Sequence, residues 1–456
     1  MVRSQRVLFA AAASVFVCTI GVRVVLTEDS PRELQPFGNP SGRALTVTTG
    51  TFDPNNAFFQ SLGTNGRACV TCHQASDGWT VTPAHIKNRF NETDGFDPIF
   101  RSNDGANCPT ADLSTLDARR AAFSLLLSKG LIRVSLPIPT NAEFSLVDVD
   151  DPYGCSTGAE LSLYRRPLPA TNLKFLSAVM WDGRETQPGM AMETNFRQQA
   201  IDATMGHAQA IFPPTEEQLQ EIVDVETHLF TAQIRDKDAG SLVDQGAMGG
   251  PVPLSTEPFF LGINDPIGMN PTGAPFDPRV FNIFDAWQAL QSGPADLRAA
   301  RRAIARGQEI FNTRAINITR VKGLNDALGQ ESIAGTCTTC HDSPNAGNHS
   351  IAMALDIGMS DQSRRTPDLP LYTLRCEATG EIIKTSDPGR AMITGKCADI
   401  SKMKGPVLRA LASRAPYFHN GAAATLDDVV KFYDERFNLN LTPREKADLV
   451  AFLKTL

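Results

Sequence analysis

At 456 residues the chain has room for two or three domains of ordinary size. Its composition, 42% hydrophobic and 20% charged, suits a globular protein with a real core. A net charge of -7 argues against nucleic acid or an anionic membrane surface as partner.

The first segment, Met1 to about Val22, reads as an export signal, with Arg3 and Arg6 ahead of an almost wholly apolar run from Val7 to Val22. That run is short for a membrane span, which needs about 20 apolar residues. Continuing it past Arg23 to Leu26 makes it marginal, and no clear small-x-small cleavage site follows. A cleaved leader and an N-terminal anchor over residues 1–26 therefore both stay open. Residues 27–45 are rich in Pro, Gly and charge and read as a linker.

Two pentapeptides dominate the rest of the chain: Cys69-Val70-Thr71-Cys72-His73 and Cys337-Thr338-Thr339-Cys340-His341. Cys-x-x-Cys-His is the attachment sequence for c-type haem. Each cysteine can form a thioether to one vinyl group, and the adjacent histidine reaches the iron. Composition alone would give about 0.003 such motifs per chain. A redox dithiol would not need the histidine, and a zinc site built from both pairs would leave two histidines unexplained. Two covalently bound haems are thus expected, with Cys69, Cys72, Cys337 and Cys340 attaching them and His73 and His341 as iron ligands. Export fits, because c-type haem is attached outside the bacterial cytoplasm.

Cys18 lies in the leader. The four remaining cysteines are an even number in an oxidising compartment, and the pairs Cys108–Cys155 and Cys376–Cys397 are expected.

Each motif follows a candidate helix: a short one over 56–63, and a stronger one over 296–311 in which Leu297, Ile304 and Phe311 recur every seven residues. Further helical patterns cover 113–129, 216–236, 425–437 and 442–456. Thr425 and Thr442 are the N-caps of the last two, with Pro443 at the first helical position and Glu445 at the third. Strand signals are few. The expected fold is mainly α: two cytochrome c-like haem domains, over 46–295 and 296–456, with extensive irregular loops.

Several other blocks point one way: Met180-Trp181-Asp182-Gly183-Arg184, Asp387-Pro388-Gly389-Arg390, Pro406-Val407-Leu408-Arg409 and Ala415-Pro416-Tyr417-Phe418-His419-Asn420-Gly421. With the haem motifs they resemble the bacterial di-haem cytochrome c peroxidase family, which includes the MauG proteins, over roughly residues 45–456. The resemblance implies that the N-terminal haem reacts with hydrogen peroxide and that the C-terminal one relays electrons, with Trp181 between them. Electrons would come from a small redox protein, a cytochrome c or a cupredoxin. The MauG-like alternative is oxidation of side chains on a protein substrate, and the non-enzymic alternative is a di-haem electron carrier. The resemblance is compatible with a periplasmic homodimer.

Two departures matter. Peroxidases of the family place Met on the helix after the Tyr-Phe-His loop as second-haem ligand, whereas Tyr433 occupies that position here, as in MauG. Met403 is the competing ligand. The family glutamate that handles peroxide protons has no counterpart after Gln199-Ala200. His207 is the best substitute for it, and Glu193 a weaker one. His85 is a candidate distal ligand of the first haem whose ordinary reading, a loop histidine, is favoured. His419 is read as a hydrogen-bonding residue beside the second haem, and His228 and His349 have no assigned role. A family calcium ion would use backbone carbonyls of Arg414 and Pro416, although its usual asparagine is missing.

Overall fold

The computed structural model describes residues 31–456, which form one unit. The expected leader and Cys18 lie outside the described residues. Among the described residues, no helix is long and apolar enough to cross a membrane.

Helix accounts for 32% of the chain and strand for 16%, in several sheets, so the mainly α expectation is overturned. All strand pairings are antiparallel. The largest sheet pairs Gly42–Thr48 with Leu229–Asp236 and adds Arg32–Glu33, Phe37–Asn39 and Gly240–Ser241. Two readings fail here. Residues 31–45 are not a tether, because they supply strands to this sheet and bury Ala44 and Leu45 in it. The helical pattern over 216–236 ends at His228, and the Leu229–Asp236 segment runs on as a strand. Its aromatic and β-branched residues, Phe230, Thr231 and Ile234, suit a pleated surface better than a helix.

A second sheet joins Phe144–Asp150 to Leu371–Cys376 and Ile382–Thr385, crossing the expected division at 295/296. A two-stranded ladder pairs Ile132–Pro137 with Glu160–Arg165. Both expected disulfides, Cys108–Cys155 and Cys376–Cys397, are formed.

The local signals that held are helical. Ala295–Thr313 is the long helix before the second motif, and Leu426–Phe437 and Pro443–Leu453 begin at Thr425 and Thr442 with capping boxes. The 56–63 pattern yields only the short turn Ala57–Phe59, and 113–129 is split into Leu116–Ala122 and Ser124–Lys129.

Helices Ala295–Thr313 and Pro443–Leu453 cross over the core that carries Phe281, Phe284, Trp287, Phe311 and Phe452. Gly307 sets how closely they approach. A Cβ there would lie 2.0 Å from the Asp448 carbonyl oxygen and 2.7 Å from Phe452 Cβ. Helix propensity alone makes Gly307→Ala stabilising by about 1 kcal/mol. Overpacking at a backbone contact costs about 1–3 kcal/mol and should win. The variant's urea midpoint should fall; a rise would mean that the helices part without cost.

Candidate haem clefts

Two large clefts lie side by side. They enclose about 1610 Å³ and 1780 Å³ of empty space, open mouths included. Cys69, Cys72 and His73 line the first; Cys337, Cys340 and His341 line the second.

Both motif histidines are prepared as metal ligands. His73 Nδ1 donates to the Trp79 carbonyl (3.0 Å) and His341 Nδ1 to the Gly347 carbonyl (2.8 Å). That fixes the tautomer with Nε2 unprotonated. Burial pushes each imidazole down to about 4, so both are neutral, the form that binds a metal.

The clefts share a wall. Arg166, Trp181, Lys404, Pro406 and Arg414 line both. The Trp181 indole donates to the Arg166 carbonyl (2.8 Å), and its ring stands 6.1 Å from that of His419. Met180, which lines the first cleft, and Phe418, which lines the second, both lie in the left-handed region at φ 66°.

The cations in this wall test the fit to haem. Burial lowers the Lys404 ammonium to about 7 and the Arg166 and Arg414 guanidiniums to about 10, as it does Arg409, which lines the first cleft only, and Arg414 repels Arg166 and Lys404 further. Among the described residues these four make no salt bridge, and the Nε atoms of Arg409 and Arg414 have no hydrogen-bond partner. Buried like charges without a counter-charge are costly. The carboxylates of haem propionates would supply the missing negative charge, so these residues fit haem.

His207 closes one side of the first cleft, at the C-terminus of helix Met192–Gly206. Its Nδ1 lies 2.5 Å from Asp104 Oδ2, and Arg67 lies 2.5 Å from Asp104 Oδ1. Burial alone would raise the Asp104 carboxyl, but His207 and Arg67 outweigh it and hold it below the usual range. Asp104 therefore stays ionised and orients the imidazole. Glu226 also lines this cleft. Burial pushes it up to about 8, and its Oε2 has no partner among the described residues. Glu193 is exposed and does not line the cleft.

In the second cleft Tyr433 projects from helix Leu426–Phe437, stacked on Phe437 with ring centroids 6.2 Å apart. Met403 and Met359 line the same cleft, and the sequence pointed only to the first. His419 lines it too. Burial pushes its imidazole down to about 4, and Nε2 sits 3.3 Å from the Ser360 hydroxyl. His85 pairs with Asp77 at 2.5 Å and lines neither cleft. His228 Nδ1 bonds the Asp224 carbonyl in its own helix. The Arg414 carbonyl, expected as a calcium ligand, accepts from the Arg166 guanidinium (3.1 Å).

The Trp-Asp-Gly-Arg and Asp-Pro-Gly-Arg blocks meet through a residue that sequence reasoning missed. Arg165 binds Asp387 with two hydrogen bonds (2.7 and 2.8 Å) and also pairs with Asp182. All three side chains are buried. Arg67, Asp104, Arg166, Lys404 and Glu226 were missed as well. The consecutive Arg165-Arg166 on a strand otherwise buried was the one available signal.

Comparison with known proteins finds peroxidases. A cytochrome c peroxidase of Denitromonas iodatirespirans (IdrP2) is 34% identical over 133 residues, 27% of this chain and 36% of the relative. The cytochrome c551 peroxidase of Nitrosomonas europaea is 29% identical over 163 residues, 34% of this chain and 42% of the relative. Over these stretches the chain is similar to bacterial cytochrome c peroxidases. These cytochrome c peroxidase relatives imply haem as a cofactor. The chain spans about two-fifths of the length of the curated relatives it matches. No family model matches the chain. Among solved structures, a MauG-like protein associated with microbial copper homeostasis overlays with TM-score 0.39 at 16% identity, over 95% of this chain and 94% of that one.

Proposed function

We propose that the chain is an exported, periplasmic peroxidase that reduces hydrogen peroxide at the first cleft with electrons relayed through the second. The wall shared by the clefts carries this reading, because an indole and three cations touch both sides at once. Cys69 and Cys72 would attach one haem and Cys337 and Cys340 the other, with His73 and His341 as proximal ligands. Bound haem would supply the iron redox chemistry of peroxide cleavage. The balance is one peroxide, two electrons and two protons to two waters.

The chain's own groups handle the rest. His207 takes a proton from one peroxide oxygen and returns it to the other, in the tautomer that Asp104 imposes. Trp181 gives electrons a route between the clefts. Lys404, Arg166 and Arg414 would hold the propionates of bound haem. The donor would be a small cytochrome c or cupredoxin.

Tyr433 favours a second outcome, oxidation of a partner protein's side chains as in MauG. The phenol faces the second cleft with no hydrogen bond to its hydroxyl among the described residues. As an iron ligand it would be hard and anionic and would lower the potential relative to Met.

Low-temperature EPR of the exported protein, fully ferric and half-reduced, tests both readings. A high-spin ferric signal in either state, with peroxide consumed in the presence of a reduced donor, is expected. Two low-spin irons in both states without turnover would leave an electron carrier. Tyr433→Phe should change the low-spin signal; an unchanged signal would remove Tyr433 as ligand.

A further inference from the structure

Outside both clefts, Asp265, Asp342 and His349 converge from two loops. Each offers one ligand atom, and these atoms lie within 4.8 Å of one another. All three residues are buried, at 3% exposure or less. None lines either cleft. We propose that they form a site for one divalent transition-metal ion.

The hydrogen bonds show which atoms are left for a ligand. His349 Nδ1 lies 2.7 Å from Asp342 Oδ2, and Asp342 Oδ1 accepts from the Ser350 amide at 2.8 Å. Asp265 Oδ2 accepts from the amides of Ile267 (3.1 Å) and Met269 (2.7 Å). Two atoms remain without any hydrogen-bond partner among the described residues: His349 Nε2 and Asp265 Oδ1. With Nδ1 donating to Asp342, Nε2 presents a lone pair, so two buried Lewis bases stand unpartnered on residues whose ligand atoms converge. Buried polar atoms are rarely left so. The hydroxyls of Ser343 and Ser350, in the same loop as His349, are also buried without partners.

The donor chemistry selects the ion. Two carboxylates balance a dication. One imidazole in the set disfavours calcium and magnesium, which take oxygen ligands, and suits Zn²⁺ or Mn²⁺. Asp265 and His349 bind directly. Asp342 orients the imidazole through Nδ1, the usual carboxylate–histidine–metal relay. The loops are already fastened to each other: Asn264 Nδ2 donates to the Asp342 carbonyl (3.0 Å), and the Gly262 amide to the Ser350 carbonyl (2.9 Å). Asp342 directly follows His341, so the ion would brace the loop behind the second haem motif.

The test uses the full exported protein with its haems, loaded with Zn²⁺ and desalted against a weak chelator. One retained zinc per chain, with an imidazole shell in the zinc K-edge absorption spectrum, is expected. Asp265→Asn and His349→Gln should each lose that zinc, with at least tenfold weaker binding, while keeping the Soret band. Wild-type protein that retains no zinc, a zinc spectrum without imidazole, or equal retention in both variants overturns the site. If neither variant folds, the wild-type stoichiometry and spectrum decide it alone.

Discussion

Replacing His207 with Ala should slow the bimolecular reaction with peroxide by about 10²–10⁴-fold, the range for losing a positioned acid–base group. His207 lines the first cleft beside the haem-motif residues, and Asp104, itself held by Arg67, fixes its Nδ1. Asp104→Asn keeps the shape but removes the charge that orients the ring, so it should fall between wild type and His207→Ala. Stopped-flow mixing with peroxide at pH 7 measures both, and an unchanged resting Soret band certifies the cleft. A loss of less than about tenfold in His207→Ala would exclude it as the proton-handling group. Glu226, whose neutral carboxyl lines the same cleft, would then be the next group to replace.

The second large effect belongs to Arg165. Arg165→Met leaves Asp182 and Asp387 buried, with only Arg184, at 3.2 Å, near the first of them. Breaking a buried ion pair by removing one partner costs about 3–5 kcal/mol. The pH dependence separates this from simple loss of packing. Burial would raise the Asp182 carboxyl, but Arg165 and Arg184 outweigh it and hold it below the usual range. In the wild type its contribution is therefore present above the unfolded carboxylate value of about 3.9 and is lost as pH falls through the lower folded value. Without Arg165, burial is opposed by Arg184 but no longer by the buried guanidinium, and the folded value rises. The variant then loses stability as pH rises, and its deficit should shrink towards acid. Urea midpoints at pH 5 and pH 8 measure this. Equal deficits at the two pH values would mean that the arginine acts through its volume rather than its charge.

What could be read in advance was local. The Thr425 and Thr442 caps, the Ala295–Thr313 helix and both haem pentapeptides are each set within a few residues of chain. The site's supporting groups are not local. Asp104 reaches His207 across 103 positions and Arg165 reaches Asp387 across 222, so no window of sequence contains both ends. The sheets failed for a related reason. Residues 229–233 are buried without interruption, so alternation, the usual strand signal, is absent. The resemblance to the peroxidases supplied Trp181 and Tyr433, but it could not supply Asp104 or the cations of the shared wall, which belong to none of the motifs.

Arg165 ends the strand Glu160–Arg165, and Arg166 is the next residue. Successive side chains in extended chain leave on opposite faces. Arg165 therefore turns to the Asp182–Asp387 carboxylates at the edge of the first cleft, and Arg166 to the wall that both clefts share. This makes the strand an indexing device. Deleting or inserting a single residue within it would send the wrong arginine to each side, giving the carboxylates no guanidinium and the clefts a displaced one. Point changes at its exposed end, Glu160, touch neither assignment. Across homologous chains, length at this strand should thus be held more strictly than sequence.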